Sequence, residues 1–485
     1  MKIQYAAGLL ISLAATNTVF AQEEVTLLRV PMTKKHTTLR GIHHKRDANL
    51  YNDYGSIYLI NVQVGTPPQN FELALDTGSA DLWIPGSLCP NSVCPLARFN
   101  EKNSTTFVPS TEAFNITYGI GNAHGTYATE TITVAGATVE NQKFGYVDTT
   151  QNILTDVQTL EGSSYTPTVS SGDNSSTYGT DFRMDGIFGL GYPFLTASVS
   201  RPYNPFFFNL KAQNKISKNI FSIYLNNAES YGNSGEIIFG GIDESKYTGA
   251  ISYLPVVKTD RRTQTLQTVS DFGFWQVNGQ GISVKNGLEK DIQVKFDNTV
   301  PFVFDTGTTL SYLPTSVLEP IVDAAVGKAN VAYDKVNNYF QIRCSMAKEN
   351  TRIEVVMSTT AEISTTPITM SVPIADLIFP MDTEQVSTAS VCMFGIVPTA
   401  GTIFIGESLL RSVYQVYDAE LNRIGIAGAV SSNATVTNAA GNSNDSNGSD
   451  NNQPKQVEPK SSMTSTTKSN TMVTLVGLAF TLYLI

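Results

Sequence analysis

The stretch Leu73-Ala74-Leu75-Asp76-Thr77-Gly78-Ser79-Ala80-Asp81-Leu82-Trp83-Ile84-Pro85 has a second copy, Phe302-Val303-Phe304-Asp305-Thr306-Gly307-Thr308-Thr309-Leu310-Ser311-Tyr312-Leu313-Pro314, with Asp305 standing 229 residues after Asp76. In both, three apolar residues lead into Asp-Thr-Gly and a hydroxyl residue follows. An aromatic then sits at the same offset, and an apolar residue and Pro close the run. One Asp-Thr-Gly is a weak signal, whereas two with matching flanks are a strong one. Each copy also has a later echo, Gly186-Ile187-Phe188-Gly189 and Thr402 with Phe404-Ile405-Gly406, in which two apolar residues precede a Gly. The chain reads as an internal duplication with two similar lobes.

An apolar strand that runs into Asp-Thr-Gly leaves a carboxylate at the strand end, in a turn where Gly permits close backbone approach. If a pseudo-twofold relates the lobes, Asp76 and Asp305 face each other. Two carboxylates about 3 Å apart cannot both ionise, so the pair holds one proton and titrates as a unit. The charged member is a general base toward water and the protonated one a general acid toward a carbonyl. Such a pair suits amide hydrolysis without a metal or a covalent intermediate. Thr77 and Thr306 can hydrogen-bond across the axis, and Ser79 and Thr308 can donate to the outer carboxylate oxygens. The bland alternative for each Asp is an Asx-turn or a cap.

The rest of the body reads as short strands rich in Val, Ile, Thr, Tyr and Phe, at 58–64, 71–75, 114–118, 127–134, 221–224, 236–239, 401–405, 413–418 and 423–427. One helix is expected over 315–326, with Pro314 and Thr315 at its start, Gly327 at its end and Pro320 as a possible kink. The fold class is all-β, with two similar barrel-like lobes over 47–225 and 226–430 and a cleft between them.

Composition fits that class. The chain has 485 residues, of which 15% are charged, against roughly 25% in an average domain. It carries 36 Gly and 21 Pro, and its net charge is −10. This excludes a disordered chain, a coiled coil and a nucleic-acid binder, which needs a basic face. The four Cys are Cys89, Cys94, Cys344 and Cys392. Three pairings are possible, and Cys89–Cys94 with Cys344–Cys392 is the simplest, since each pair stays within one half. No Cys-x-x-Cys or Cys/His cluster exists, so no metal is expected. Beyond residue 46 the single histidine is His124, and no Gly-x-Ser-x-Gly elbow is present. Serine-triad and His-metal chemistries fall away.

The ends read as addresses. Residues 1–21 are expected to form a secretory signal peptide, with a basic start, an apolar run and a cut after Ala21. Residues 22–46 read as a propeptide ending in the dibasic Lys45-Arg46. Removing residues 1–46 takes away seven of 32 Lys+Arg and two of 42 Asp+Glu, which leaves −15. A basic propeptide on an acidic body is an electrostatic clamp that loosens as carboxylates protonate. Residues 431–471 are rich in Ser, Thr and Asn and read as a glycosylated stalk. Residues 472–485 are apolar but shorter than the roughly 20 residues that span a bilayer. A polar spacer before a short apolar tail is the layout of a GPI-attachment signal, with Ser461 or Ser462 as candidate sites.

With these residues in place, the sequence resembles the pepsin-like aspartic proteases, in particular fungal secreted or GPI-anchored (yapsin-like) members. The likeness covers roughly 58–428 and rests on Val62, Gly65-Thr66-Pro67-Pro68-Gln69, both Asp-Thr-Gly elements, Met184-Asp185-Gly186-Ile187-Phe188-Gly189-Leu190-Gly191 and Phe239-Gly240-Gly241-Ile242-Asp243. Residues 28–35 are similar to family prosegments. The resemblance implies that Asp76 and Asp305 are the catalytic pair, supported by Thr77, Gly78, Ser79, Thr306, Gly307 and Thr308. It implies that residues 116–121 form a flap with Tyr118 at its tip beside Gly119, and that Trp83 buttresses Tyr118. A flap with Gly at its turn suits a lid that excludes water. The two Cys loops match the family's two common disulfides. Lys34 or Lys35 is the expected propeptide lysine set against the dyad. The implied substrate is an extended peptide, with no cofactor, no nucleic-acid partner and a monomeric state.

Some positions depart from the family pattern. Ile120 stands where a small polar flap residue is usual, and Glu407 where Asp is common. Asn115-Ile116-Thr117 places a glycosylation sequon inside the flap, expected to be unmodified or to point outward, and Asn103, Asn174, Asn433, Asn444 and Asn447 start others. Residues 163–180 read as a surface loop or processing site. The alternative function is a catalytically silent pepsin-fold binding or adhesion protein of the cell wall. A wall polysaccharide hydrolase also fits two carboxylates, but it leaves the symmetric turns unexplained. The mature acidity suggests a preference for basic residues near the scissile bond.

Overall fold

The computed structural model describes residues 27–36, 56–119, 121–154, 184–227, 232–262, 267–383 and 385–439. The expected signal peptide, dibasic site, 163–180 loop, apolar tail and most of the stalk lie outside these residues. So do Ile120, Asn174, Asn444, Asn447 and the side chain of Lys35.

The N-terminal lobe is built on β1 (Leu28–His36), β2 (Ser56–Val64), β3 (Gln69–Asp76), β4 (Leu82–Pro85), β5 (Val108–Thr117), β6 (Asn122–Val134), β7 (Ala137–Gln151) and β8 (Gly186–Gly189). The chain continues through helix α1 (Phe206–Ala212), β9 (Ile220–Tyr224), β10 (Gly232–Phe239), β11 (Tyr247–Pro255), β12 (Thr259–Arg262), β13 (Thr268–Asp271), β14 (Gln276–Lys285), β15 (Ile292–Phe304), β16 (Ser311–Pro314) and helix α2 (Thr315–Val326). Helix α2 has the expected bounds, ends on Gly327 at φ 77° and contains Pro320. Its buried face includes Val317, Leu318, Ile321, Val322 and Ala325, so tertiary packing offsets the donor that Pro320 lacks.

The duplicated motifs hold the same pairings in each lobe. β3 runs parallel to β8, with Leu73 opposite Gly186 and Asp76 opposite Gly189. β15 runs parallel to Ile403–Ile405, with Phe302 opposite Ile403 and Phe304 opposite Ile405. The short echo elements are thus the strands that lie beside each Asp-Thr-Gly strand. Both faces of these strands are covered, so they read as unbroken apolar runs rather than alternations.

A 13-stranded sheet joins the lobes, with β1 between β10 and β2. β10 continues through β9 to Val413–Asp418, Arg423–Ala429 and β11. β1 lies within the segment expected as propeptide, yet it fills a central slot in the sheet. Its Val30 and Met32 are buried, and Arg29 bridges Glu236 at 2.9 Å and Asp243 at 2.7 Å. The C-terminal lobe also reaches past residue 430. Thr435–Asn438 pairs with Ile368–Pro373 at a sheet edge, and Ala434 joins the core.

The disulfides are Cys89–Cys94 and Cys344–Cys392, closing separations of 5 and 48 residues. No described helix is long and apolar enough to cross a membrane.

Candidate active site

Asp76 ends β3 and Asp305 follows β15, and each is only 6% exposed. Each carboxylate folds back onto its own turn. The Gly78 N–H donates to Asp76 Oδ1 at 2.8 Å and the Ser79 hydroxyl donates to Asp76 Oδ2. The Gly307 N–H donates to Asp305 Oδ1 at 2.8 Å and the Thr308 hydroxyl donates to Asp305 Oδ2 at 2.6 Å.

The two turns interlock through the threonines. Thr77 Oγ1 donates to Phe304 O at 2.8 Å and accepts from Thr306 N–H at 3.0 Å. Thr306 Oγ1 donates to Leu75 O at 3.1 Å and accepts from Thr77 N–H at 3.2 Å. Both hydroxyls are buried, and each uses its donor and one acceptor site. All six turn residues, with the two aspartates, therefore meet at one point.

Glycine is required on both sides. A Cβ on Gly78 would stand 2.5 Å from Asp305 Oδ2, and one on Gly307 would stand 2.5 Å from Asp76 Oδ1. The facing carboxyls act on each other's proton affinity. Burial raises the affinity of both for a proton, and the charge of Asp76 raises Asp305 further. One proton held between the two follows.

Over this pair the β5–β6 hairpin closes with a hydrogen bond from Tyr118 N–H to Gly121 O at 2.7 Å. The Trp83 indole, fully buried, donates to Tyr118 Oη at 2.9 Å. Burial, and then the charge of Asp76, hold the Tyr118 phenol well above its usual range. Gly119 lies exposed at the tip. The Asn115 side chain of the flap sequon is engaged with His124 Nδ1 at 2.8 Å.

Two further parts of the site bring in residues that the sequence did not mark, Tyr203 in one and Arg411 in the other. Asp81 is fully buried and accepts from Tyr127 Oη at 2.9 Å, Tyr203 Oη at 2.7 Å and Ala197 N–H at 2.8 Å. Burial raises its pKa. Asp81 thus fixes the chain between the Asp76 turn and Trp83 to β6 and to the 197–203 loop. Tyr203 lies far along the chain, so spacing could not have found it. The second part is a buried group of Glu407, Arg411 and Lys34. Burial raises Glu407, the charges of Lys34 and Arg411 oppose this, and Asp305 adds to it. Lys34 is 2% exposed and is pushed down by burial and by Arg411. Among the described residues, Arg411 and Glu407 are charges that act on Lys34, and Glu407 in turn feels Asp305. Of Lys34 and Lys35, either of which was expected against the dyad, Lys34 is the one whose side chain is described, and it is buried beside Glu407 and Arg411.

Comparison with known proteins agrees with this geometry. Residues 57–429 match the family model described as eukaryotic aspartyl protease. Mucorpepsin of Rhizomucor pusillus is 33% identical over 381 residues, covering 77% of this chain and 79% of that protein. Cathepsin E of Mus musculus is 27% identical over 375 residues, covering 77% and 80%. The crystal structure of an aspartic proteinase from Irpex lacteus shares the fold at a TM-score of 0.56 and 21% identity, covering 84% of this chain and 100% of that one. The chain belongs to the eukaryotic aspartyl protease family and is an aspartic-type endopeptidase, a hydrolase of peptide bonds.

Proposed function

We propose that Asp76 and Asp305 are the catalytic pair and that they hydrolyse peptide bonds at acidic pH through a water held between them. The observation that carries this is the reciprocal arrangement of two buried carboxyls, each fixed by its own Gly N–H and hydroxyl. In the reactive form one carboxylate takes a proton from the water as it attacks the scissile carbonyl. The other, protonated, donates to the carbonyl oxygen. Collapse of the tetrahedral intermediate returns a proton to the leaving amine. Neither step forms a bond to the protein. Tyr118, held by Trp83, closes over the cleft and excludes water. A silent binding protein would have no need of this matched support.

We infer further that the chain is made as a secreted zymogen of the fungal GPI-anchored kind and acts on proteins outside the cell. The apolar leader, Lys45-Arg46, the polar 440–471 stretch and the terminal apolar tail support that reading. The test is peptide hydrolysis by the processed protein from about pH 3 to about pH 7, with and without pepstatin, beside Asp305→Asn. An acidic optimum abolished by pepstatin, and a loss of about 10³-fold or more in Asp305→Asn, are expected. No hydrolysis at any pH after verified removal of residues 1–46 would return the chain to the binding-protein reading.

A further inference from the structure

The β12–β13 hairpin leaves the chain between β11 and β14, and its strands form a separate two-stranded sheet. Its base is fixed firmly. Phe274 N–H donates to Thr259 Oγ1 at 3.0 Å, and Tyr192 N–H donates to Gly273 O at 3.0 Å. The Tyr192 ring lies 5.6 Å from Phe272 and 4.3 Å from Trp275. This base stands beside both Asp-Thr-Gly turns. On one side Leu190 N–H donates to Asp76 O and Gly191 N–H to Ser79 O, both at 2.8 Å. On the other side Trp275 O accepts from the N–H of Phe304, the neighbour of Asp305, at 2.8 Å.

From the hairpin, Arg261 crosses from the Asp305 half of the chain to the Asp76 half. Its guanidinium lies 4.1 Å over the ring of Phe194, three residues beyond Gly191. An aromatic face orients a guanidinium without using its N–H donors. Among the described residues no carboxylate pairs with it, and burial alone acts on it, lowering its pKa. The two described acids of the hairpin are engaged elsewhere. Asp260 accepts from the Ser270 hydroxyl, and Asp271 accepts from Phe272 N–H at 2.9 Å. A half-buried guanidinium that has lost water without gaining an anion is poised to take one, and a carboxylate matches its fork.

We infer that Arg261 is a specificity-determining residue that receives the side-chain carboxylate of an Asp or Glu in the bound peptide, a few residues from the scissile bond. This rests on the peptidase reading above. An extended peptide advances about 3.3 Å per residue, so side chains three or four positions from the dyad stand roughly 10–13 Å away along the cleft. The overall negative charge of the body attracts basic peptides from a distance. At that range, though, salt screens within about 8 Å, and the desolvated contact decides which residue is held.

The test is kcat/KM for a set of fluorogenic peptides that differ only by Glu, Gln or Lys at each position in turn flanking one scissile bond. The processed protein is compared with Arg261→Gln and Arg261→Lys. At one position the processed protein prefers Glu over Gln by about tenfold, as a charge-assisted pair requires. That ratio falls toward one in Arg261→Gln and is partly kept in Arg261→Lys. It also shrinks as pH drops below the usual Glu value of about 4.3, which a purely structural role for the hairpin does not produce. Hydrolysis with no charge preference at any position, or a Glu preference that survives in Arg261→Gln, overturns the assignment. A processed protein that hydrolyses none of the peptides fails the peptidase reading and this inference with it.

Discussion

At Trp83 one N–H connects the floor of the cleft to its lid. The indole is fully buried, and its donor reaches Tyr118 Oη at 2.9 Å. Phe in its place keeps most of the apolar volume but leaves the phenol without that donor. Trp83→Phe is therefore expected to lower kcat/KM by about tenfold, and the cavity left by the smaller ring in a fully buried position also lowers Tm. Tyr118→Phe removes the other partner, so the two losses should not add in the double variant. Fully additive losses would show that the hydrogen bond contributes nothing to closure. The proposed dyad, its Gly and hydroxyl supports and this Trp–Tyr pair were all legible in the sequence, because each depends on local order around Asp-Thr-Gly or on a recognised motif. The ties of Asp81 to Tyr127 and Tyr203 were not legible. A buried carboxyl finds its partners by tertiary approach, and no local pattern marks a tyrosine 122 residues away.

The strands were legible wherever β-branched and aromatic runs were bounded by Gly, Pro or Asn, as at Val413–Asp418, whose expected bounds are those observed. Strand β7 escaped notice because Glu140, Asn141, Gln142 and Lys143 dilute its apolar pattern; in the fold its backbone pairs with β6 and β4. β1 escaped for a different reason, since its basic residues marked it as a propeptide arm. In the structure it is a central strand, with Met32 0% exposed and Lys34 inserted among buried charges. Its clamp also resists acid. The Ser245 hydroxyl and then the Arg29 guanidinium hold Asp243 down to about 2. A depressed carboxylate contributes stability above its unfolded value of about 3.9 and loses it only as pH falls through the folded value, so this contact persists in mild acid. If β1 is structural in the unprocessed chain, Met32→Ala should cost about 2–4 kcal/mol in a urea melt, as other buried truncations do. A loose arm would show no change in the midpoint.

Across the whole molecule the buried acids point one way. Burial raises Asp76, Asp81, Asp305 and Glu407 above their usual range. A carboxyl raised on folding holds a proton that the unfolded chain releases above about pH 4, so its contribution is complete below that pH and is lost as pH rises through the folded value. Lys34, pushed down to about 7, works the other way. The unfolded chain binds a proton there that the folded chain does not, so stability from this group rises only between about pH 7 and pH 10.4. Acids with lowered values, such as Asp243, lose their contribution only toward strong acid. The balance places maximum stability in mild acid and a decline toward neutrality, which matches the range where a dyad that holds one proton can work. Between about pH 4.5 and pH 7, Tm should fall as these carboxyls lose their protons. Calorimetry across that range checks it, and a flat or rising Tm would contradict the assignment of protons to these carboxyls. Glu407→Gln isolates one of the four. It keeps the side-chain shape, removes one titrating group next to Asp305, and should make the decline shallower.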